Sequence, residues 1–299
     1  MKVYNRNILA LLVTILNLMG VQAGGSAEAS GSWPNEPTGS TVIVDCPFSG
    51  SLCPGIWDAY NSASFALDAT APLSPGNVLD SFMATNSVTG SGQWGVALAD
   101  AKELYIGTWW STNADFQGYS NNQNKMLFAR RPEIDNNFLV WQGYPGQPKT
   151  LKWYGQMTYD NCGYAGTFGM CYSRGDGTGW FEPNTGANAT IAAGSGWHRI
   201  EIYLKTSTTK TSRDGIVRWW LDGAMVGNYS GVNLSPGGLQ DFQINHAWDG
   251  SGSCATRDCS KSWHHYWDHL HISIGQGASA ADQPAGPPAA PRIAGITVH

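Results

Sequence analysis

W-H-R-I-E-I-Y-L-K at 197–205, D-G-I-V-R-W-W-L-D-G at 214–223, F-Q-I-N-H-A-W at 242–248 and Y-W-D-H-L-H-I-S at 266–273 decide the fold. Each stretch alternates with a period of two, the spacing of side chains on a strand with two unlike faces. In the first, His198, Ile200, Ile202 and Leu204 point one way and Arg199, Glu201, Tyr203 and Lys205 the other. The second separates Val217, Trp219 and Leu221 from Arg218, Trp220 and Asp222, and the third separates Phe242, Ile244 and His246 from Gln243, Asn245 and Ala247. In the fourth, Tyr266, Asp268, Leu270 and Ile272 oppose Trp267, His269, His271 and Ser273. The mainly apolar sets can close a core. The opposite sets mix Arg, Glu, Tyr, Trp, Gln, Asn and His, more chemistry than a plain solvent face needs.

Working outward, further strands are predicted at Leu104–Trp110, Lys125–Arg130, Phe138–Gln142 and Leu151–Thr158, with turn residues between them. Strands at such spacing indicate an antiparallel sandwich or barrel. No stretch after the N-terminal leader carries a helical stripe. Asp222-Gly223 reads as a tight hairpin turn, because glycine tolerates positive φ. The region from Cys46 to Asp80 is dense in turn residues and reads as loops and edge strands. The segments 159–196 and 248–263 read as long loops rich in Gly and Trp, and loops of that length are usually functional.

The chain has 299 residues, enough for one large all-β domain. Only 13% of residues are charged and the net charge is −5, so the basic footprint of a nucleic-acid binder is absent. With 37 Gly and 14 Trp, the composition suits short strands, turns and aromatic surfaces that stack on flat apolar faces. Lys2 and Arg6 precede an apolar run from Ile8 to Met19, and Val21-Gln22-Ala23 offers small residues for cleavage, so residues 1–23 are expected to be a secretory signal peptide. The apolar run is too short to span a membrane, which takes about 20 residues. The mature protein is expected to be secreted, extracellular or periplasmic, with no membrane association after cleavage. Residues 24–40 form a flexible leader, 41–275 the β-domain, and 276–299 a Pro/Ala-rich linker or tail.

Six cysteines fit an oxidising compartment. Local closure costs the least entropy, so the expected bridges are Cys46–Cys53, Cys162–Cys171 and Cys254–Cys259. Zinc is disfavoured, because no CxxC spacing occurs.

The central block, together with L-Y-I-G-T-W-W (104–110) and N-K-M-L-F (124–128), resembles the secreted concanavalin A-like jelly-roll superfamily, nearest to uncharacterised bacterial members of polysaccharide-lyase type. The superfamily holds lectins, family 16 glucanases and polysaccharide lyases, and the resemblance covers about residues 55–275. It implies an all-β fold, a two-sheet antiparallel β-sandwich of the concanavalin A-like jelly-roll kind, with one curved sheet whose concave face is polar and lined with aromatics. It implies a polysaccharide ligand, since sugars stack apolar faces on Trp and Tyr and bond through hydroxyls to Arg, Asn, Gln and Glu. Arg199, Glu201, Trp220, Gln243, Asn245, Trp267 and His271 are expected to bind substrate there, with Tyr203, His269 and Arg218 as the catalytic candidates.

A glycoside hydrolase needs two carboxyl groups at about 5–5.5 Å or about 6.5–9.5 Å. Family 16 glucanases carry them as Glu-x-Asp-x-x-Glu. Glu133-Ile134-Asp135 begins that motif, but Asn136-Asn137-Phe138 follows and the third acid is missing. A lyase acting on an acidic polysaccharide needs a base for the proton beside the uronate carboxylate and groups to neutralise that carboxylate. Tyr203 or His269 would serve as base or acid, and Arg199, Arg218, Asn245 and Gln243 would hold the carboxylate. β-Elimination is therefore favoured over hydrolysis, and a lectin-like or structural cell-surface module is the alternative without catalysis.

His246 is expected in the core as a hydrogen-bonded histidine, and Asp268 to bond a loop backbone. No cofactor is expected. A structural calcium ion at Asp268 is the one metal left open, because His264 and His265 point apart on a strand. Lys125 is open between the groove and a strand end. Asn188, Asn228 and Asn233 stand in glycosylation sequons. A monomer is expected.

Overall fold

The computed structural model describes residues 33–85, 92–116, 123–131, 135–143, 147–157, 180–209, 211–248 and 260–275. From Asn35 onward they belong to one body. The strands, in chain order, are β1 (Thr41–Cys46), β2 (Ile56–Asp58), β3 (Phe65–Asp68), β4 (Gly76–Met83), β5 (Trp94–Ala101) and β6 (Glu103–Thr112). They continue with β7 (Gln123–Arg131), β8 (Asp135–Gln142), β9 (Lys149–Met157), β10 (Trp180–Phe181) and β11 (Thr190–Ile191). The last are β12 (His198–Lys205), β13 (Gly215–Leu221), β14 (Ala224–Val232), β15 (Leu239–Trp248) and β16 (Trp263–Ile274).

Two eight-stranded sheets result. The first runs β14-β13-β12-β6-β16-β4-β3, with β1 also paired to β16. The second runs β10-β9-β8-β7-β15-β5-β2, with β11 beside β9. All pairings are antiparallel. The expected all-β sandwich is the observed one. As read from the turn-dense region, β2 and β3 are sheet edges. β10 and β11 occupy part of a segment that reads as loop, being too short to announce themselves by alternation.

Alternation placed the core side chains. Ile200, Ile202 and Leu204 from β12, and Val217, Trp219 and Leu221 from β13, are buried in one cluster with Leu127, Leu139, Leu151, Phe242 and Ile244 of the second sheet. Trp94, Trp110, Trp141, Trp153, Trp219, Trp263 and Trp267 are among its largest members. Much of the tryptophan that composition suggests for a stacking surface is thus core packing. Fully burying side chains of this size contributes roughly 1.5–3 kcal/mol each or more. His246 is fully buried, as expected.

The β13–β14 hairpin turns at Asp222 (φ 51°) and Gly223 (φ 84°), between the paired Leu221 and Ala224. Positive φ at both central residues is the I′ turn that matches strand twist.

β16 departs from the simple reading. Trp267 pairs with Trp110 and is buried in the core, whereas Asp268 faces outward, opposite to the expected phase. A bulge explains the reversal: the register with β6 jumps from Asp268↔Trp109 to Leu270↔Thr108, and His269, at φ 58°, is the extra residue. One extra residue exchanges the two faces, so Leu270 and Ile272 return to the core and His271 points out. The bulge lies where the neighbour changes, since β4 pairs with 263–267 and β1 with 270–274. Asp268 accepts from Leu73 N–H at 2.7 Å and Ser74 N–H at 3.2 Å, the loop-backbone role expected of it.

Cys46 and Cys53 form the expected disulfide. The other two pairings, the signal peptide and the tail fall outside the described residues, as does Glu133 of the motif fragment.

Candidate functional site

The candidate residues were expected on one face, and the two-sheet arrangement divides them. Arg199, Glu201, Tyr203, Arg218, Trp220, His269 and His271 belong to the first sheet, Gln243 and Asn245 to the second, and the core lies between. Trp267 is a core residue and is not available to a groove. The five residues whose convergence would make an elimination site, Arg199, Tyr203, Arg218, Asn245 and His269, are therefore not brought together.

On the outer face of the first sheet each polar candidate meets a protein partner. Glu201 is fully buried; its Oε2 accepts from Tyr105 Oη at 2.6 Å and from Asn35 N–H and Nδ2 at 3.1 Å each, and its Oε1 ion-pairs with Arg199 Nε at 2.9 Å. Arg218 donates to Asn228 Oδ1 at 2.9 Å. Tyr203 donates to Glu103 Oε2 at 3.0 Å, and burial, with that carboxylate, pushes its phenol up to about 12. So shifted, the phenol stays protonated near neutral pH. His271 contacts Asp45 at 3.1 Å and Glu36 at 3.2 Å, and His269 contacts Asp45 at 2.6 Å. This face reads as a fastening for residues 35–46.

The outer face of the second sheet has a different character. Register aligns a row across its strands: Trp57 pairs with Gly95, Gly95 with Gln243, Gln243 with Phe128, Phe128 with Phe138, and Phe138 with Tyr154. Side chains directly opposite on antiparallel strands share a face. Gly95 is needed in this row, because a Cβ there would lie 2.4 Å from the Trp57 ring. Phe128, Phe138 and Val140 form an apolar cluster separate from the core, with half-buried Tyr154 packed against it. The Phe138 and Tyr154 ring centres are 4.5 Å apart.

A bulge brings Lys125 to the same face. Met126 and Leu127 are consecutive core residues, so Lys125 pairs with outward-facing Val140, and its Nζ lies 5.3 Å from the Phe138 ring centre.

A polar line crosses the row. Arg130 Nε donates to both oxygens of Asp241 at 3.0 and 3.1 Å, Gln243 Nε2 donates to Asp241 Oδ2 at 3.1 Å, and Asn245 Nδ2 donates to Gln243 Oε1 at 3.4 Å. Gln93 Nε2 also donates to Gln243 Oε1. Burial pushes the Asp241 carboxyl up, against the opposing pull of Arg130. Farther along, Lys152 pairs with Glu182 at 2.8 Å.

Gln243 and Asn245 are thus the predicted site residues that this face retains. Trp57, Gln93, Phe128, Phe138, Lys125 and Tyr154 complete it. Their strands alternate, but nothing local in the sequence says which strands become neighbours. Among the described residues no group of three or more His, Cys, Asp and Glu side chains is arranged to hold a metal ion.

No family model matches the chain, and no curated protein matches it. Among solved structures it is similar to a double mutant of alginate lyase Aly36B in complex with an alginate trisaccharide, at 12% identity over 77% of this chain and 97% of that one, TM-score 0.49. It is similar to alginate lyase vAL-1 from Chlorella virus, at 14% identity over 74% and 91%, TM-score 0.49. It is also similar to an endo-beta-1,4-glucuronan lyase from the fungus Trichoderma reesei, at 14% identity over 82% and 100%, TM-score 0.47. The likeness is one of fold.

Proposed function

We propose that this chain is an exported carbohydrate-active protein that binds an acidic polysaccharide along the outer face of the second sheet. The observation that carries the reading is the cross-strand row of Trp57, Gly95, Gln243, Phe128, Phe138 and Tyr154. Rings beside amides suit a sugar: Gln243 is fully buried and Phe138 nearly so, which leaves the partly exposed Tyr154 to take its apolar face and Asn245 its hydroxyls. Lys125 adds a positive charge at the aromatic patch, the complement of a uronate carboxylate. Affinity electrophoresis in gels containing alginate, glucuronan, pectate, a glycosaminoglycan or a neutral glucan tests this. Retardation by an acidic polymer that Tyr154→Ala weakens is expected. Undiminished retardation of that variant, or retardation by the neutral glucan alone, overturns it.

Lys125 and Tyr154 on either side of Phe138 favour a second step at the same face, β-elimination. Lys125 would neutralise the uronate carboxylate while Tyr154, acting as base, takes the neighbouring C5 proton; the C4–O bond breaks as the C4–C5 double bond forms, and the leaving oxygen takes up the proton from the Tyr154 hydroxyl. Absorbance of the unsaturated uronate during incubation with each polymer tests the step. Binding without that absorbance identifies a lectin-like module.

A further inference from the structure

Away from that face, Ser195, His198 and Asp222 stand in line. Ser195 Oγ is 2.8 Å from His198 Nε2, and His198 Nδ1 is 2.8 Å from Asp222 Oδ2. These are the contacts of a nucleophile, a base and the carboxylate that orients the base, an arrangement recognised by geometry and not by chain order. We propose that Ser195, His198 and Asp222 form a second site, one that cleaves small acyl esters.

Each member is held by backbone. Ser195 sits on the turn 192–196, pinned by Gly194 N–H to Thr112 Oγ1 at 3.1 Å and by Ser195 N–H to Ala192 O at 3.3 Å. Gly194 (φ 64°) has no room for a side chain, because a Cβ would lie 2.3 Å from Ala114 Cα. His198 opens β12, and Asp222 is in the I′ turn, where its other oxygen accepts Arg199 N–H at 2.8 Å. Burial would raise the Asp222 carboxyl, but the hydrogen bonds from His198 and Arg199 hold it below the usual carboxylate range, so it remains an anion beside the imidazole.

Access is open. Ser195 and Gly196 are exposed, His198 is partly exposed, and space is clear around a Cβ built on Gly196. The backbone N–H groups of Gly196 and Trp197 follow the nucleophile in the chain, where one donor of an oxyanion hole is found in nucleophile-elbow enzymes. Ser195 Oγ also lies 2.6 Å from Ala192 O. Its single proton can point to that carbonyl or to His198 Nε2, and only the second arrangement reacts.

In the reaction Ser195 Oγ bonds to the acyl carbon as its proton passes to His198 Nε2. The ester C–O bond breaks, and the leaving alkoxide takes that proton. Water then attacks the acyl-serine, giving its proton to His198, and the Ser195 oxygen leaves and recovers it. Ser195 and His198 are catalytic, and Asp222 is a positioning residue.

The test treats the full chain with diisopropyl fluorophosphate, locates the adduct by peptide mass spectrometry, and follows hydrolysis of p-nitrophenyl acetate. The expected adduct is on Ser195, lost in Ser195→Ala, and formed about a hundredfold more slowly in His198→Gln. Asp222→Asn is expected to slow the reaction and to move the midpoint of its pH–rate profile downward, since the imidazole loses its anionic partner. A matching thermal midpoint in His198→Gln shows that the fold is kept. Absence of a Ser195 adduct, or equal labelling rates in parent and His198→Gln, overturns the proposal and leaves a clip that fastens the turn to the hairpin.

Discussion

His269 Nε2 lies 2.6 Å from Asp45 Oδ1, and it reaches that oxygen from the extra position of the β16 bulge. His271, one pair farther along, shares the oxygen at 3.1 Å and holds Glu36 through its other nitrogen at 3.2 Å. Two histidines and two carboxylates therefore hold residues 36–45 against the first sheet.

This cluster sets a pH window. Burial alone would lower the His271 pKa, but hydrogen bonds to Asp45 and Glu36 outweigh it and the net shift is upward. A raised pKa contributes stability that is present below the unfolded value of about 6.5 and is lost as pH rises through the folded value. Asp45 is opposite in sign: burial raises it, the two histidines outweigh burial, and its pKa falls. Its contribution is present above about 3.9 and is lost as pH drops through the folded value. Thermal midpoints are expected to be highest between about pH 4 and 6.5 from these groups and to decline above it. In Asp45→Asn both limbs should flatten. An unchanged profile in that variant would show that the cluster does not govern stability.

The cost of filling Gly227 tests the packing of the β13–β14 hairpin. Gly227 pairs with Trp219, and a Cβ there would lie 2.0 Å from the indole. Gly227→Ala is expected to destabilise by roughly 1–3 kcal/mol, because the core must shift to admit one methyl group. Trp219→Leu removes the obstacle and costs burial of its own, so the double variant should be more stable than the sum of the two single losses predicts. Denaturant unfolding of all four proteins measures the coupling, and strict additivity would show that the ring does not hold the site closed.

How far the sequence announces this molecule follows from which features are local. The alternation of 197–205 and 214–223 assigns every side chain of β12 and β13 to its observed face, and Asp222-Gly223 marks the turn between them, because pleat and turn are properties of neighbouring residues. β16 keeps the same period but hides one extra residue, and Trp267 and Asp268 exchange faces without any change of composition. Gln243 and Asn245 point away from the core as their alternation requires, yet β15 lies between β7 and β5, far from β12 and β13 in the other sheet. Sheet membership is decided by pairing between distant segments. The same cause hides the aromatic row, whose members are drawn from β2, β5, β15, β7, β8 and β9.

The Cys46–Cys53 bridge closes a loop with a sequence separation of 7, and Cys46 itself is fully buried in the core. Loop-closure entropy for a ring of this size corresponds to roughly 2–3 kcal/mol. Replacing both cysteines by alanine should lower the thermal midpoint by roughly 4–12 °C on the usual scaling for larger domains. Calorimetry of the double variant measures it. A midpoint within error of the parent would mean that the core around Cys46 fixes this loop without the bridge.

Lys125 gives the sharpest test of the proposed face, because its charge is separable from its packing. It lies over Phe138 with its ammonium 5.3 Å from the ring centre, and methionine keeps a long apolar side chain at the same place without the charge. If the ligand is a uronate polymer, Lys125→Met should weaken binding about five- to tenfold at low salt, and the deficit should shrink as salt rises and screens the lost attraction. Tyr154→Ala acts by removing a partly exposed aromatic surface, so its deficit should stay nearly constant with salt. Titration of the two variants and the parent with an acidic oligosaccharide, from low ionic strength to above physiological, separates these contributions. A Lys125→Met deficit that does not depend on salt would assign Lys125 a packing role and leave the acidic character of the ligand without its chief support on this face.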